Sequence, residues 1–181
     1  LLRVPPLELP RAAPGEPLEL LRLNESVELF VERASAASGG FALTDANRAA
    51  VIEVCRRLDG LPLAIELAAV RTRVLAVEQI RDRLADRFGL LAGAGRGTLP
   101  RHQTLRLAIE WSHDLLTPDE RTLLRRLSVF AGRFTLEDVE AVCAADDVPQ
   151  RDVLDLVASL VDKSLVTAEA GRGVACYRLH E

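Results

Sequence analysis

Apolar side chains recur at steps of three and four residues through the first half of the chain, a spacing that predicts amphipathic helices. Asn24 suits the N-cap of the first helix, which should end at Gly39 and Gly40. Thr44 or Asp45 suits the N-cap of the second. The predicted buried positions of these two helices are Val27, Phe30, Val31, Ala34, Ala50, Val51, Val54, Cys55 and Leu58.

Residues 60–69, GLPLAIELAA, predict a sharp reversal between the second helix and a third. Gly60 suits the left-handed C′ position after the run that ends at Leu58, and Pro62 lacks the N–H that a first helical turn leaves unpaired. The residues that follow are apolar on nearly every side, with Glu66 as the exception, so this helix should be buried all round.

A fourth amphipathic helix completes a predicted four-helix bundle over residues 24–88. Its apolar positions are Val77, Ile80, Leu84 and Phe88. Residues 89–100 contain four glycines and predict a linker. A glycine-rich loop can instead cradle phosphate, but a Walker A loop needs a lysine and a Ser or Thr directly after its last glycine. Here Gly97 is followed by Thr98, and the only lysine of the chain is Lys163.

Residues 101–181 predict several helices closed by a β-hairpin, which is the pattern of a winged helix. The first helix should bury one face and also carry Trp111; its face residues are Leu105, Ala108, Ile109, Ser112 and Leu116. Capping boxes at Thr117 and Thr135 begin two more helices, and the apolar positions of a last helix are Val153, Leu154, Val157, Leu160 and Val161. Strands at 165–167 and 174–179 should flank a turn. The predicted fold class is mainly α.

Composition argues against one class of function. The formal net charge of −4 argues against a domain that wraps nucleic acid, since phosphate neutralisation supplies most of that affinity. Residues 4–10, VPPLELP, predict an extended edge segment because prolines are so dense there. No stretch resembles a signal peptide or a membrane span, and we expect a cytoplasmic location.

Few residues present the chemistry of a metal or catalytic site. His102 and His113 have no partners at ligand spacing, so no metal site is predicted. The cysteines are expected to be free, buried thiols; they are Cys55, Cys143 and Cys176. One helix carries a basic patch, interpreted as a solvated face or a contact for an acidic partner or phosphate; its members are Arg121, Arg125 and Arg126.

Three features in order, the GLPL segment at 60–69, the block at 101–143 and the terminal YRLHE, resemble the NB-ARC class of signal-transduction ATPases, the STAND proteins. The resemblance covers nearly all of the chain and is to the branch of bacterial transcriptional regulators. It implies four parts: 1–23 as the tail of a preceding nucleotide-binding core, 24–88 as an ARC1-like helical bundle, 89–100 as a linker, and 101–181 as a winged-helix subdomain.

The resemblance also implies which residues meet a nucleotide. Pro62, with Leu61 beside it, would pack against the adenine, and His180 would approach the β-phosphate of ADP. The terminal motif here is Leu179-His180-Glu181, which departs from the family's Met-His-Asp at its first and third positions. The implied cofactor is ADP or ATP with Mg²⁺, bound mainly by residues outside this segment. With no Walker A lysine, the segment itself should not hydrolyse ATP.

The implied partners are an upstream nucleotide-binding core in the same polypeptide and a downstream helical-repeat sensor, with DNA contacted through another domain and no membrane contact. An alternative is that the winged helix itself binds DNA. A winged helix that reads DNA needs basic side chains along its recognition helix and wing. Here the last helix, from Arg151 to Lys163, carries Asp152, Asp155 and Asp162 between its two basic ends, and Arg172 is the only basic residue of the wing turn. A plain protein-interaction module is a third interpretation.

Overall fold

The computed structural model describes residues 5–11, 16–92, 101–170 and 174–179, with side chains described except at 87–92, 101–102 and 170. This part of the chain is mainly helical, which confirms the predicted fold class. It divides into two compact units, Leu1–Trp111 and Ser112–Glu181. No helix in these ranges combines the length and the apolar character that a membrane crossing requires.

The first unit is a helical bundle in which α2 packs on α4 and α3 packs on α5. Its helices are α1 (Leu18–Arg22), α2 (Glu25–Ser38), α3 (Arg48–Arg57), α4 (Pro62–Ala69), a 3₁₀ turn (Val70–Arg73), α5 (Val77–Ala92) and the greater part of α6 (Arg101–Asp114). Every apolar position predicted for α2 and α3 is buried. The short α1 was not predicted, since only Leu21 of its five residues is buried and so it shows no periodic face.

Local signals fix the ends of these helices. The Asn24 side chain accepts from the Val27 N–H at 3.3 Å, and Gly39 ends α2 with φ of 71°, both as predicted. The N-cap of α3 is Asn47, so the prediction of Thr44 or Asp45 at that position was wrong. Thr44 and Asn47 exchange hydrogen bonds between side chain and backbone, which closes the turn that leads into α3 at Arg48.

One boundary and one buried face differ from the sequence prediction. Helix α5 continues through residues 89–92, which had been assigned to the linker, while 93–100, including Gly97, lie outside the described residues. In α6 the buried face includes Thr104 and Ala108, whereas Ile109 is 41% exposed. The apolar pattern overlooked Thr104 because a hydroxyl is polar, but this hydroxyl is hydrogen-bonded and can therefore be buried.

The second unit is a winged helix, as predicted. Its elements are α7 (Pro118–Leu127), β1 (Phe134–Thr135), α8 (Leu136–Cys143), α9 (Gln150–Asp162), β2 (Val166–Ala170) and β3 (Ala175–Leu179). The three strands form an antiparallel sheet in the order β1-β3-β2, with Val166 opposite Leu179. Both capping boxes are present, at Thr117 and Thr135, which confirms the predicted starts of α7 and α8.

Three details of this unit were not predicted. Helix α7 ends at Leu127, and Val129, which follows it, is 66% exposed. Strand β1 places Phe134 opposite Tyr177, with ring centroids 6.2 Å apart. In α9 the predicted apolar residue Leu154 is 52% exposed.

Candidate functional site

The GLPL turn joins α3 to α4 through two consecutive left-handed residues. Asp59 has φ of 53° and Gly60 has φ of 65°, and the Gly60 N–H donates to the Cys55 carbonyl at 3.4 Å. This hydrogen bond, from the C″ residue to the C3 residue of α3, is the one that a Schellman motif contains, with Asp59 at C′ and Gly60 at C″. The prediction that Gly60 sits at C′ was therefore wrong by one residue. Asp tolerates this conformation better than most residues that carry a Cβ.

Gly60 is required for a second reason, the close approach of the extended segment near the start of the chain. The Leu7 N–H donates to the Gly60 carbonyl at 2.9 Å. A Cβ on Gly60 would lie 2.3 Å from the Leu7 carbonyl oxygen, far inside van der Waals contact. The turn therefore accommodates glycine alone without a shift of the backbone.

The first turn of α4 is open to solvent. Pro62 occupies the first helical position, as predicted, and its side chain is exposed, while Leu61 and Leu63 are half-buried. The prediction of a helix buried all round was wrong for this turn. It holds for the remainder of α4 apart from Glu66; the buried residues there are Ala64, Ile65, Leu67, Ala68 and Ala69. The exposed proline ring is apolar, and its φ is fixed by the ring itself.

Hydrogen bonds on both sides hold this turn in place. The Thr104 hydroxyl, fully buried on α6, donates to the Asp59 carboxylate at 2.8 Å. The Arg57 guanidinium donates to the Arg81 carbonyl on α5 at 2.7 Å. Pro62 is thus presented from a backbone that is fixed by α5, by α6 and by the segment at Leu7.

The second predicted nucleotide contact, His180, lies outside the described residues. Strand β3 ends one residue earlier at Leu179, opposite Val166 on β2. The convergence of His180 and Pro62 on one ligand therefore stays a prediction. The wing turn at 171–173, with Arg172, also lies outside the described residues.

The helix-turn-helix of the second unit, α8 to α9, is acidic. Residues 136–162 include one basic residue, Arg151, and eight acidic ones: Glu137, Asp138, Glu140, Asp146, Asp147, Asp152, Asp155 and Asp162. The Arg151 side chain is 82% exposed and pairs with Asp152 at 3.5 Å. A helix that enters the major groove runs between two rows of phosphates, where acidic side chains are unfavourable.

Two arginines of the predicted basic patch on α7 donate hydrogen bonds to backbone carbonyls at the ends of neighbouring helices. Arg121 donates to the backbone carbonyl of Asp114, the last residue of α6, at 2.6 Å. Arg126 donates to the carbonyl of Cys143, the last residue of α8, at 2.9 Å and pairs with Asp147 at 2.7 Å. These carbonyls have no partner within their helices and form the negative end of the helix dipole. Two of the three arginines therefore have a structural role.

A buried carboxylate, Glu120, links α7 to α9, and the sequence reasoning recognised only its capping role. Glu120 is 4% exposed; it accepts from the Thr117 N–H at 2.7 Å, from the Ser159 hydroxyl at 2.6 Å and from the Lys163 ammonium. Burial acts to raise the pKa of Glu120, but hydrogen bonds from Lys163, Ser159 and Thr117 outweigh it and hold that pKa below its usual value. Because Lys163 and Glu120 are far apart in sequence, no local sequence pattern predicts that they pair.

The cysteines are free, with Cys55 and Cys143 buried and Cys176 half-buried on β3, less enclosed than predicted. Burial raises the pKa of the Cys55 thiol to about 12, against a smaller lowering by a backbone hydrogen bond. Within the described ranges, no three His, Cys, Asp or Glu side chains gather as metal ligands.

The second unit carries a recognisable family signature. Residues 116–181 match the family model described as a winged helix-turn-helix domain, so the chain contains such a domain. This range corresponds to α7 through β3, the part in which the three-stranded sheet closes the helices.

The chain as a whole is homologous to segments of longer actinobacterial proteins. It is 52% identical, over 87% of its length, to a Mycobacterium tuberculosis protein named as an HTH-type transcriptional regulator, Rv0890c, and covers 18% of that protein. It is 46% identical over 98% of its length to the uncharacterized M. tuberculosis protein Rv0894, of which it covers 42%. Regulatory protein AfsR of Streptomyces coelicolor is 29% identical over 91% of the chain, which covers 15% of AfsR. No solved structure matches.

Proposed function

We propose that this chain is the nucleotide-sensing segment of an NB-ARC-type STAND ATPase that regulates transcription. A P-loop core elsewhere in the same polypeptide would bind ADP or ATP with Mg²⁺. Leu61 and Pro62 would cover the adenine, and His180 would contact the β-phosphate. The observation that carries the proposal is the exposed Pro62 ring on a turn that three neighbouring segments hold rigid.

The geometry of the turn suits a cover for a purine base. A proline side chain loses no rotamer freedom when a base packs against it, and a preorganised turn adds little further entropy cost on binding. Leu61 and Leu63 flank it with half-buried apolar surface that water would otherwise cover. Contacts of this kind supply affinity for the base, while the phosphates need donors from the core.

Sensing requires that the two nucleotides favour different arrangements. In the proposed switch, ADP would hold the bundle and the winged helix against the core through Pro62 and His180, and exchange for ATP would release the winged helix. Because a ligand shifts an equilibrium only by its differential affinity for the two states, His180 beside the β-phosphate would stabilise the closed state. An imidazole can donate a hydrogen bond there or carry a positive charge.

The test is ADP binding to the full-length polypeptide that contains this chain, measured by calorimetry. Pro62→Ala should weaken ADP binding about tenfold, equivalent to about 1.4 kcal/mol. Pro118→Ala is the matched control, because Pro118 is also exposed at the first position of a helix, α7. Equal ADP affinities for the wild type and Pro62→Ala would refute the adenine contact, and a full-length sequence without a P-loop would refute the class.

The second candidate function, DNA binding by the winged helix itself, is suggested by the family match and by the name of the Rv0890c relative. The acidic surface of α8 and α9 argues against it. A gel-shift assay at low salt separates the two: the chain should not retard duplex DNA even where phosphate contacts are strongest. A salt-dependent shift that Arg151→Ala abolishes would favour this candidate.

A further inference from the structure

A segment near the start of the chain, without helix or strand, is bound along its length to the rest of the first unit. In this segment, residues 7–10, called the strap below, the Leu7 N–H donates to the Gly60 carbonyl at 2.9 Å and the Glu8 carbonyl accepts from the Ser26 hydroxyl at 2.7 Å. The Pro10 carbonyl accepts from Arg56 Nε at 2.9 Å. The strap thus lies across α2, α3 and the GLPL turn.

The contact with the turn involves both polar backbone groups of one residue. The Leu7 N–H donates to the Gly60 carbonyl, and the Leu7 carbonyl oxygen lies 2.3 Å from the position that a Cβ of residue 60 would take. Gly60 is separated from Pro62 by one residue, and the left-handed backbone at Gly60 sets the direction in which α4 begins. Any displacement of Leu7 therefore changes the support of the proline ring.

We propose that the strap positions Pro62 for its ligand, so that strap docking and nucleotide binding are coupled. This coupling rests on the nucleotide contact proposed above. Because linkage is reciprocal, a strap that strengthens nucleotide binding is itself held more tightly when nucleotide is bound. Residues 7–10 then couple the conformation of the GLPL turn to the chain on their N-terminal side. Leu7 and Gly60 act as positioning residues.

The experiment weakens strap docking without altering the turn. Ser26→Ala/Arg56→Gln, the release variant, removes the bonds to the Glu8 and Pro10 carbonyls and leaves those of the Leu7 N–H to the Gly60 carbonyl and of the Glu8 N–H to the Glu25 carboxylate. The control, Ser38→Ala/Arg83→Gln, removes a hydroxyl-to-carbonyl bond of the same kind within α2 and an arginine charge on the exposed side of α5. Hydrogen exchange of the amides of Leu7, Glu8 and Leu9 in the 181-residue chain reports docking, and ADP affinity of the full-length polypeptide reports coupling.

The release variant should speed amide exchange in the strap about tenfold and weaken ADP binding about fivefold or more, the lower end of typical coupling, while the control changes neither. In the full-length wild type, ADP should slow exchange in the strap. If the strap is released and ADP affinity stays within twofold although Pro62→Ala lowers it, the coupling is refuted and the adenine contact stands. If Pro62→Ala also has no effect, the proposed function fails, and the coupling fails with it.

Discussion

The Lys163–Glu120 pair yields a sharp prediction for the stability of the winged helix. Lys163→Met removes the cation and leaves the Glu120 carboxylate, 4% exposed, with the Thr117 N–H and the Ser159 hydroxyl as partners. Breaking a fully buried ion pair costs about 3–5 kcal/mol. Because the Lys163 side chain is 22% exposed and two neutral donors remain, we expect a loss of about 2–3 kcal/mol in the free energy of unfolding.

The assay is urea unfolding followed by far-UV circular dichroism, with hydrogen exchange of α7 and α9 to assign the loss to this unit. Glu120→Gln/Lys163→Met should be more stable than Lys163→Met by about 1 kcal/mol, since the double variant buries no unpaired charge. Arg106→Met is the control because it removes an exposed pair with Glu110 and should leave the unfolding midpoint unchanged.

The pH dependence of the Lys163→Met effect provides an independent check. In the wild type the pKa of Glu120 is lowered, so its stabilising contribution is present above the unfolded pKa of about 4.3 and is lost as pH falls through the folded pKa. In Lys163→Met, fewer hydrogen bonds offset the desolvation of the Glu120 carboxylate, and protonation of Glu120 removes the cost of burying its charge. The stability difference should therefore be full at neutral pH and shrink as pH falls, starting where Glu120 of the variant takes up its proton and ending below the lowered pKa of Glu120 in the wild type. An equal stability difference between wild type and Lys163→Met at neutral and at acidic pH would refute an electrostatic origin.

Three further predictions test the turn, a helix cap and the thiols. Gly60→Ala should destabilise the first unit by more than about 2 kcal/mol in urea unfolding, because the strain of a left-handed alanine adds to its clash with the Leu7 backbone. Gly40→Ala is the control: its Cβ would meet no atom within 4 Å, so the free energy of unfolding should hardly change. Thr135→Ala should cost about 1 kcal/mol by the same assay through loss of its capping bond, and an unchanged midpoint would contradict that role. Alkylation at pH 8 followed by mass spectrometry should modify Cys176 first, while Cys55, with its pKa of about 12, reacts only on unfolding; early labelling of Cys55 would show that its site opens readily.

Short-range chemistry accounts for what could be predicted from the sequence. The caps at Asn24, Thr117 and Thr135 depend on residues within one helical turn, and the structure contains all three. The break between α3 and α4 was likewise readable from Gly60 and Pro62, since their backbone preferences act locally.

Features that depend on residues distant in sequence escaped prediction. Strand β1 is two residues long, and its pairing of Phe134 with Tyr177 joins segments more than forty positions apart. The exposure of Pro62 depends on what packs around α4, which an apolar run does not reveal. The contact of Leu7 with Gly60 explains the glycine more fully than its conformation alone, and only the fold brings the two together.

A winged helix is held together by its buried positions, whereas DNA binding depends on its exposed ones, so the two properties vary independently. In α9 the fully buried residues Val153, Val157 and Leu160 satisfy the fold, and they leave the charge of the outer face unconstrained. On that face Asp155 is exposed and the basic Arg151 is paired with an aspartate. Cations supply most of the affinity of a protein for DNA phosphates, and the described part of α9 carries more acidic than basic side chains on its exposed face. For this chain, a match to the helix-turn-helix family is therefore evidence about packing and is not by itself evidence of DNA binding.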